Sequence, residues 1–273
     1  MATEAATGVE RIAAAFELAR GEGRAALMPY MMAGFPDRAT SLAVAEAYAE
    51  SGADLVELGV PFSDPLADGP TIHAAATAAL EAGATLATAL EACRSISARV
   101  PVVLMVYANM ILAHGGAEEF AAILAASGAA GAIVPDLPLG ENEELAAALA
   151  AAGLALVPLV APTTTPARRK AICEPAEGFI YLVSTTGTTG ERAAVPAGLA
   201  ELAAATRADA GSTPVAVGFG ISTPGQAAEV GRIADGVIVG SRLVRAAGEA
   251  GSPQAAADAV GEFLSETRVG LAR

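Results

Sequence analysis

The sequence predicts an α/β fold, a (β/α)8 TIM barrel with an extra N-terminal helix and an extended loop after its second strand. Three observations carry that expectation. Short runs rich in Val, Leu and Ile alternate with Ala/Leu/Glu segments of helical period, the pattern of β/α units around a parallel sheet. The apolar runs number eight within 273 residues, the count and length of a closed barrel. The first of them opens into Ala33-Gly34-Phe35-Pro36, without the glycine fingerprint of an open, dinucleotide-binding sheet.

Strands are expected at 26–31, 55–58, 102–107, 132–134, 155–159, 179–183, 214–217 and 236–239. Helices are expected at 40–50, 85–97, 117–127, 142–152, 165–173, 196–206, 224–231 and 253–268. Thr165-Pro166 and Thr223-Pro224 each set a hydroxyl acceptor ahead of a first-turn residue that needs no donor, so they mark helix starts. Gly52, Gly128 and Gly153 mark helix ends. Ahead of the first strand, Val9, Ile12, Phe16 and Ala19 recur at helical spacing, and this extra helix is expected to cap the bottom of the barrel. The second and third strands are too far apart for one helix, so a long loop and a short helix, 60–82, are inserted at the mouth of the second strand. No stretch has the composition of a linker, and 1–273 is read as one barrel domain.

Composition narrows the chemistry. A hydrophobic fraction of 53% and a mean hydropathy of +0.49 owe much to alanine, the best helix former. The uncharged stretch 145–167 is long enough to span a bilayer, but Gly153, Pro158, Pro162 and Thr163-Thr164-Thr165 interrupt it, so no membrane segment is expected. Residues 1–10 carry acids and no apolar leader core, which points to the cytoplasm. A net charge of −14 opposes binding to nucleic acid or anionic lipid. Arg168-Arg169-Lys170 is the only cationic run and reads as a solvated helix face. Cys93 and Cys173 fall far apart in expected helices, as buried thiols do. The single lysine, Lys170, lies on an outer helix, which leaves no lysine for a Schiff base or for pyridoxal in the lumen. The two histidines, His73 and His114, join no acidic cluster at ligand spacing, so neither metal nor cofactor is expected in this chain.

Acids remain. In Leu55-Val56-Glu57-Leu58-Gly59 the period of two puts Glu57 on one face with Leu55 and Gly59, at the C-terminal end of a barrel strand where catalytic groups gather. A carboxyl pointing into an apolar lumen has its pKa raised, although a glutamate paired to an arginine would read the same way. The insertion continues Pro61-Phe62-Ser63-Asp64-Pro65-Leu66-Ala67-Asp68-Gly69-Pro70, with Asp64 and Asp68 in a proline-stiffened loop over that strand end. Ordinary turn chemistry explains Asp64 better than Asp68. A third group of residues is glycine-rich. Gly218-Phe219-Gly220 ends the seventh strand, Gly240-Ser241 the eighth, and Ser184-Thr185-Thr186-Gly187-Thr188-Thr189-Gly190 follows the sixth. Backbone N–H groups converge there in barrels that bind phosphate, and no lysine is required. The loop from Thr185 to Arg192 is expected to close over substrate.

The run from Glu57 to Pro70, with Gly218-Phe219-Gly220-Ile221-Ser222 and Val239-Gly240-Ser241, strongly resembles the tryptophan synthase alpha-subunit family, and the likeness extends over nearly the whole chain. The resemblance implies cleavage of indole-3-glycerol phosphate to indole and glyceraldehyde 3-phosphate, with Glu57 as general acid/base and Asp68 holding the indole N–H. It implies a phosphate subsite at Gly190, Phe219, Gly220, Gly240 and Ser241 with Tyr181 nearby, and an indole pocket shaped by Tyr30, Ile72, Leu104 and Tyr107. It further implies that Pro61, Asp64, Asn109 and Asp136 face a beta subunit, which carries pyridoxal phosphate and receives indole in an alpha2-beta2 assembly. Met31-Met32 and Thr185-Thr186 depart from the family's commoner residues. Two other readings of the residues stay open: a stand-alone lyase that releases free indole, and a non-catalytic barrel that only activates a partner.

Overall fold

The structure, a computed structural model, describes residues 6–184, 196, 198–218 and 220–272. Among these residues nine strands form one parallel sheet in the order β5-β4-β3-β2-β1-β9-β8-β7-β6. The strands are β1 (Ala26–Met32), β2 (Val56–Gly59), β3 (Val102–Met105), β4 (Gly131–Ile133), β5 (Ala155–Leu156), β6 (Leu159–Val160), β7 (Ile180–Val183), β8 (Val215–Gly218) and β9 (Gly236–Val239). The staves of the barrel still number eight, because β5 and β6 are two halves of the expected fifth strand. Pro158, between them, has no N–H to give a ladder. Its neighbours keep the pairing in step: Val157 N donates to Ala132 O at 2.9 Å on the β4 side, and Tyr181 N donates to Pro158 O at 3.0 Å on the β7 side. The ring therefore closes across the break.

Twelve helices are described: α1 (Gly8–Gly21), α2 (Arg38–Glu50), α3 (Pro70–Glu81), α4 (Leu86–Ile96), α5 (Ala108–Ala113), α6 (Ala117–Ala126), α7 (Glu143–Ala151), α8 (Pro166–Cys173), α9 (Leu199–Ala210), α10 (Pro224–Gly231), α11 (Ser241–Glu249) and α12 (Pro253–Gly270). Two of them, α5 and α11, were not expected; both are short and begin directly at a strand end, where the sequence reads as loop. The third strand stops at Met105, and Tyr107 becomes the N-cap of α5.

Alternation along the strands sorts the core into two layers. Ala26, Met28, Leu55, Val103, Ile133, Val157, Phe179, Ala216 and Ile238 fill the lumen. Leu27, Met31, Val56, Leu58, Leu104, Val217 and Val237 face the helices. The lower end of the lumen is plugged by α1, whose Ile12, Phe16 and Ala19 join the inner layer, with the Phe16 and Phe179 rings 5.8 Å apart. A capping box starts this helix: Glu10 N donates to the Thr7 hydroxyl and Thr7 N to the Glu10 carboxylate.

Below the plug, the ends of several elements are tied together by charge. Arg24 grips Asp54 through two bonds of 2.5 and 2.7 Å, and both side chains are buried. The same carboxylate accepts from Leu27 N at 2.7 Å, and Arg268 of α12 reaches it and Gly52 O. Removing Asp54 leaves the buried Arg24 guanidinium with only the partly exposed Glu22 carboxylate and the Ala25 carbonyl, a loss of up to about 3–5 kcal/mol. Asp54→Ala should therefore lower the urea midpoint strongly, whereas Arg38→Ala, which loses only the exposed pair with Glu91, should barely move it; equal midpoints for the two variants would contradict this role for Asp54.

Candidate active site

At the upper end of the lumen, β1, β2 and β3 run in a register that sets Tyr30 beside Glu57 and Glu57 beside Val103. Glu57 is 1% exposed, and its Oε2 meets no hydrogen-bond donor. Burial, and then the negative charge of Asp68, push its carboxyl up to about 8. At neutral pH this acid is mostly protonated. Among the described residues no ion pair includes Glu57, so none of their arginines holds it as a structural glutamate.

Asp68 arrives from the inserted loop just ahead of α3, whose start is fixed by Gly69 as N-cap and Pro70 in the first turn. The loop is held by Tyr107. Its hydroxyl donates to the Asp68 carboxylate and accepts from Ala67 N at 3.3 Å, while its ring stacks on Phe62 at 5.0 Å. Burial raises the Asp68 pKa, and the Tyr107 hydrogen bond and the His73 imidazole pull against that rise. One acid thus sits on a rigid strand and the other on a clamped loop.

An apolar wall adjoins them. Tyr30, Met32, Ile72, Ala75, Ala76 and Val244 pack as one cluster, with Met105 against it. The expectation for Leu104 is corrected here: its side chain lies in the outer layer, under the helices, because it is one residue out of phase with Val103. Met105, two residues beyond Val103, is the third-strand side chain that reaches this wall from the lumen side. A strict count of two from Glu57's partner Val103 finds it.

Two glycines make room for two phenols. A Cβ on Gly59 would lie 2.0 Å from the Tyr30 hydroxyl oxygen, and one on Gly218 would lie 2.5 Å from that of Tyr181. Tyr181 points from β7 into the lumen, as its place in the inner layer shows. Beyond it, Gly220 adopts a φ of +48, a left-handed turn that suits glycine. Gly240 is the N-cap of α11 and Ser241 its buried first residue. The first N–H groups of a helix have no intrahelical acceptor, and α11 packs on β1 and α3, so these donors open beside Tyr30. Gly190, Phe219 and the loop from Thr185 to Arg192 lie outside the described residues.

Residues 16–269 match the family model described as tryptophan synthase alpha chain. The chain belongs to that family. The alpha chain of Chloroflexus aurantiacus is 48% identical over 239 residues, 86% of this chain and 89% of its own. That of a Synechocystis strain is 44% identical over 263 residues, 95% and 98% of the two chains. Among solved structures, a chain of Mycobacterium tuberculosis tryptophan synthase superposes with a TM-score of 0.88 at 38% identity, covering 99% of this chain and all of its own.

On the rim of the family's barrel mouth, Asp64, Asn109 and Asp136 are exposed, and Asp136 accepts from Ala108 N at 2.9 Å, which ties it to the start of α5. Pro61, expected among them, is buried. Sequence reasoning missed two apolar members, Leu66 at 87% and Leu112 at 73% exposure. Arg168 and Lys170 are exposed on α8, but Arg169, expected on the same solvated face, is 15% exposed and paired with Asp209 at 2.6 Å because it packs toward α9; both cysteines are buried, as expected. A cavity of about 620 Å³ opens elsewhere, between α7 and α8 outside the broken fifth strand, and none of its lining residues is an expected site residue.

The buried acid gives stability a pH dependence of known sign. With its folded pKa at about 8 and the ordinary glutamate value at 4.5, the folded chain holds a proton that the unfolded chain has released between those limits. Stability falls as pH rises through that window, and Glu57→Gln removes the effect. Thermal unfolding from about pH 4 to about pH 9 should show wild type losing ground to Glu57→Gln, the two converging at the acid end. Parallel curves would contradict the raised pKa.

Proposed function

We propose that this chain cleaves indole-3-glycerol phosphate to indole and glyceraldehyde 3-phosphate, with Glu57 as general acid and then base and Asp68 as the anchor of the indole N–H. The observation that carries this reading is a buried carboxyl with one unpartnered oxygen, beside a second acid and against an apolar wall at the barrel mouth. Glu57 gives its proton to indole C3, which leaves positive charge at N1. The Asp68 carboxylate lies opposite that charge and stabilises it. Glu57, now ionised, takes the proton of the C3′ hydroxyl; the O–H pair becomes the aldehyde C=O, and the C3–C3′ pair returns to the ring. One proton goes out and one comes back, so neither metal nor redox cofactor is called for. The phosphate is held by the backbone of Gly220, Gly240 and Ser241, with Gly190 and Phe219 completing that loop set.

The exposed leucines on the rim support the reading that a partner covers it. We place there a beta subunit that carries pyridoxal phosphate, receives indole and forms an alpha2-beta2 assembly in the cytoplasm, the whole chain acting as one barrel. Leu66 and Leu112 are large apolar groups left in water beside Asp64, Asn109 and Asp136, as at the core and polar edge of an interface.

Indole release from purified protein, alone and with a beta subunit, tests this directly. Glu57→Gln should lower turnover by about 10²–10⁴-fold, and Asp68→Asn by about 10²–10³-fold, while binding of a glycerol phosphate analogue survives in both. Near-normal turnover in Glu57→Gln would end the assignment. Leu112→Glu should leave the chain's own cleavage unchanged and reduce any activation by the beta subunit at least tenfold; undiminished activation would place the partner elsewhere.

A further inference from the structure

A buried acid that cycles through its ionised form needs a donor waiting for it. In the proposed reaction Glu57 becomes a carboxylate at a point where water is excluded, and an uncompensated charge there is costly. Its Oε2 has no partner while protonated. The described side chains with a hydroxyl near enough to feel its charge are Tyr30 and Tyr181. Tyr181 is seated against Gly218 of β8 and reaches β2 only across the lumen. Tyr30 is the lateral neighbour of Glu57 in the sheet.

The position of Tyr30 is over-determined. Its carbonyl accepts from the Tyr48 hydroxyl at 3.0 Å, its ring is packed by Met32, Ile72 and Val244, and its hydroxyl fits the space where Gly59 lacks a side chain. Gly59 lies two residues beyond Glu57, on the same inward face of β2. The phenol is therefore lodged on the acid's own strand, immediately above the acid. The titratable groups around it are Glu57 on β2, Asp68 on the inserted loop, Tyr107 at the end of β3 and Tyr181 on β7, with His73 of α3 beside Asp68.

We propose that the Tyr30 hydroxyl is a positioning group for the proton shuttle: it donates a hydrogen bond to Glu57 whenever that carboxyl is ionised, and Gly59 is the notch that holds it there. The proposal deepens the reaction assigned above and rests on it for its catalytic consequence, but the hydrogen bond itself is a property of the protein. A donor to the charged form favours that form, so its loss must raise the acid's midpoint and slow proton release. A hydroxyl that only filled space would leave both unchanged.

Carbon-13 NMR of carboxyl-labelled glutamate, with Glu57 assigned by Glu57→Gln, reads the midpoint without substrate. Tyr30→Phe should raise it by about one unit, and lower kcat about tenfold with KM within about twofold. Gly59→Ala, which drives a methyl into the hydroxyl's place, should shift the midpoint the same way and add little once Tyr30 is Phe. A midpoint that stays put in Tyr30→Phe overturns the proposal whatever the activity. If the midpoint moves and wild type makes no indole even with a beta subunit, the hydrogen bond stands and the reaction assignment falls.

Discussion

Glu57 is enclosed at 1% exposure with one carboxyl oxygen unmatched, and this constraint governs the upper half of the barrel. A buried polar atom without a partner is a standing cost in folding free energy, and a charge there would cost more. The fold tolerates it by keeping the group protonated. That protonation is also what makes the carboxyl useful, because an acid titrating near neutrality both gives and takes a proton readily. Stability and chemistry thus pull in opposite directions on one side chain, and the remaining lumen residues offset the loss. Met28, Leu55, Val103, Ile133 and Phe179 fill the space below Glu57, and α1 seals it.

The two acids differ because their supports differ. Glu57 is fixed by strand pairing on both sides, with β1 and β3 in register. Asp68 is fixed by a single aromatic clamp, Tyr107, which itself caps α5. The strand acid is dry and rises steeply. The loop acid is half-buried, keeps a hydrogen bond and a nearby imidazole, and rises less freely. Unequal environments are what set the two carboxyls apart in their hold on a proton.

Most of the fold was legible in the sequence because each stave is short, apolar and followed by a helix with a proper start. The edges of that legibility have physical reasons. Pro158 reads as part of a strand by composition, yet removes the donor that would make the strand continuous. Both α5 and α11 start where a strand ends, so no change of composition marks them. Glu57 stood out as a charge inside an apolar strand, and Asp68 as a charge in a stiff loop. Leu104 was misplaced by one residue, which in a strand reverses the face completely. The role of Gly59 was invisible: a glycine at a strand end reads as a turn, and only the neighbouring phenol shows that it is a socket.

The rim and the chemistry are connected through very little chain. Leu66 is two residues from Asp68, and Leu112 lies on α5, which begins at Tyr107, the residue whose hydroxyl holds Asp68. The two exposed leucines therefore stand on the two sides of one hydrogen bond. Asp136 adds a third tie, since it accepts from the first residue of α5. A body pressed onto this rim contacts both sides of the Tyr107–Asp68 bond at once, while Glu57, locked between paired strands, meets it through the charge of Asp68. Among the described residues, the shortest route from such contact to turnover runs through the placement of Asp68, and with it both the stabilisation of charge on the ring nitrogen and the charge that raises the Glu57 carboxyl.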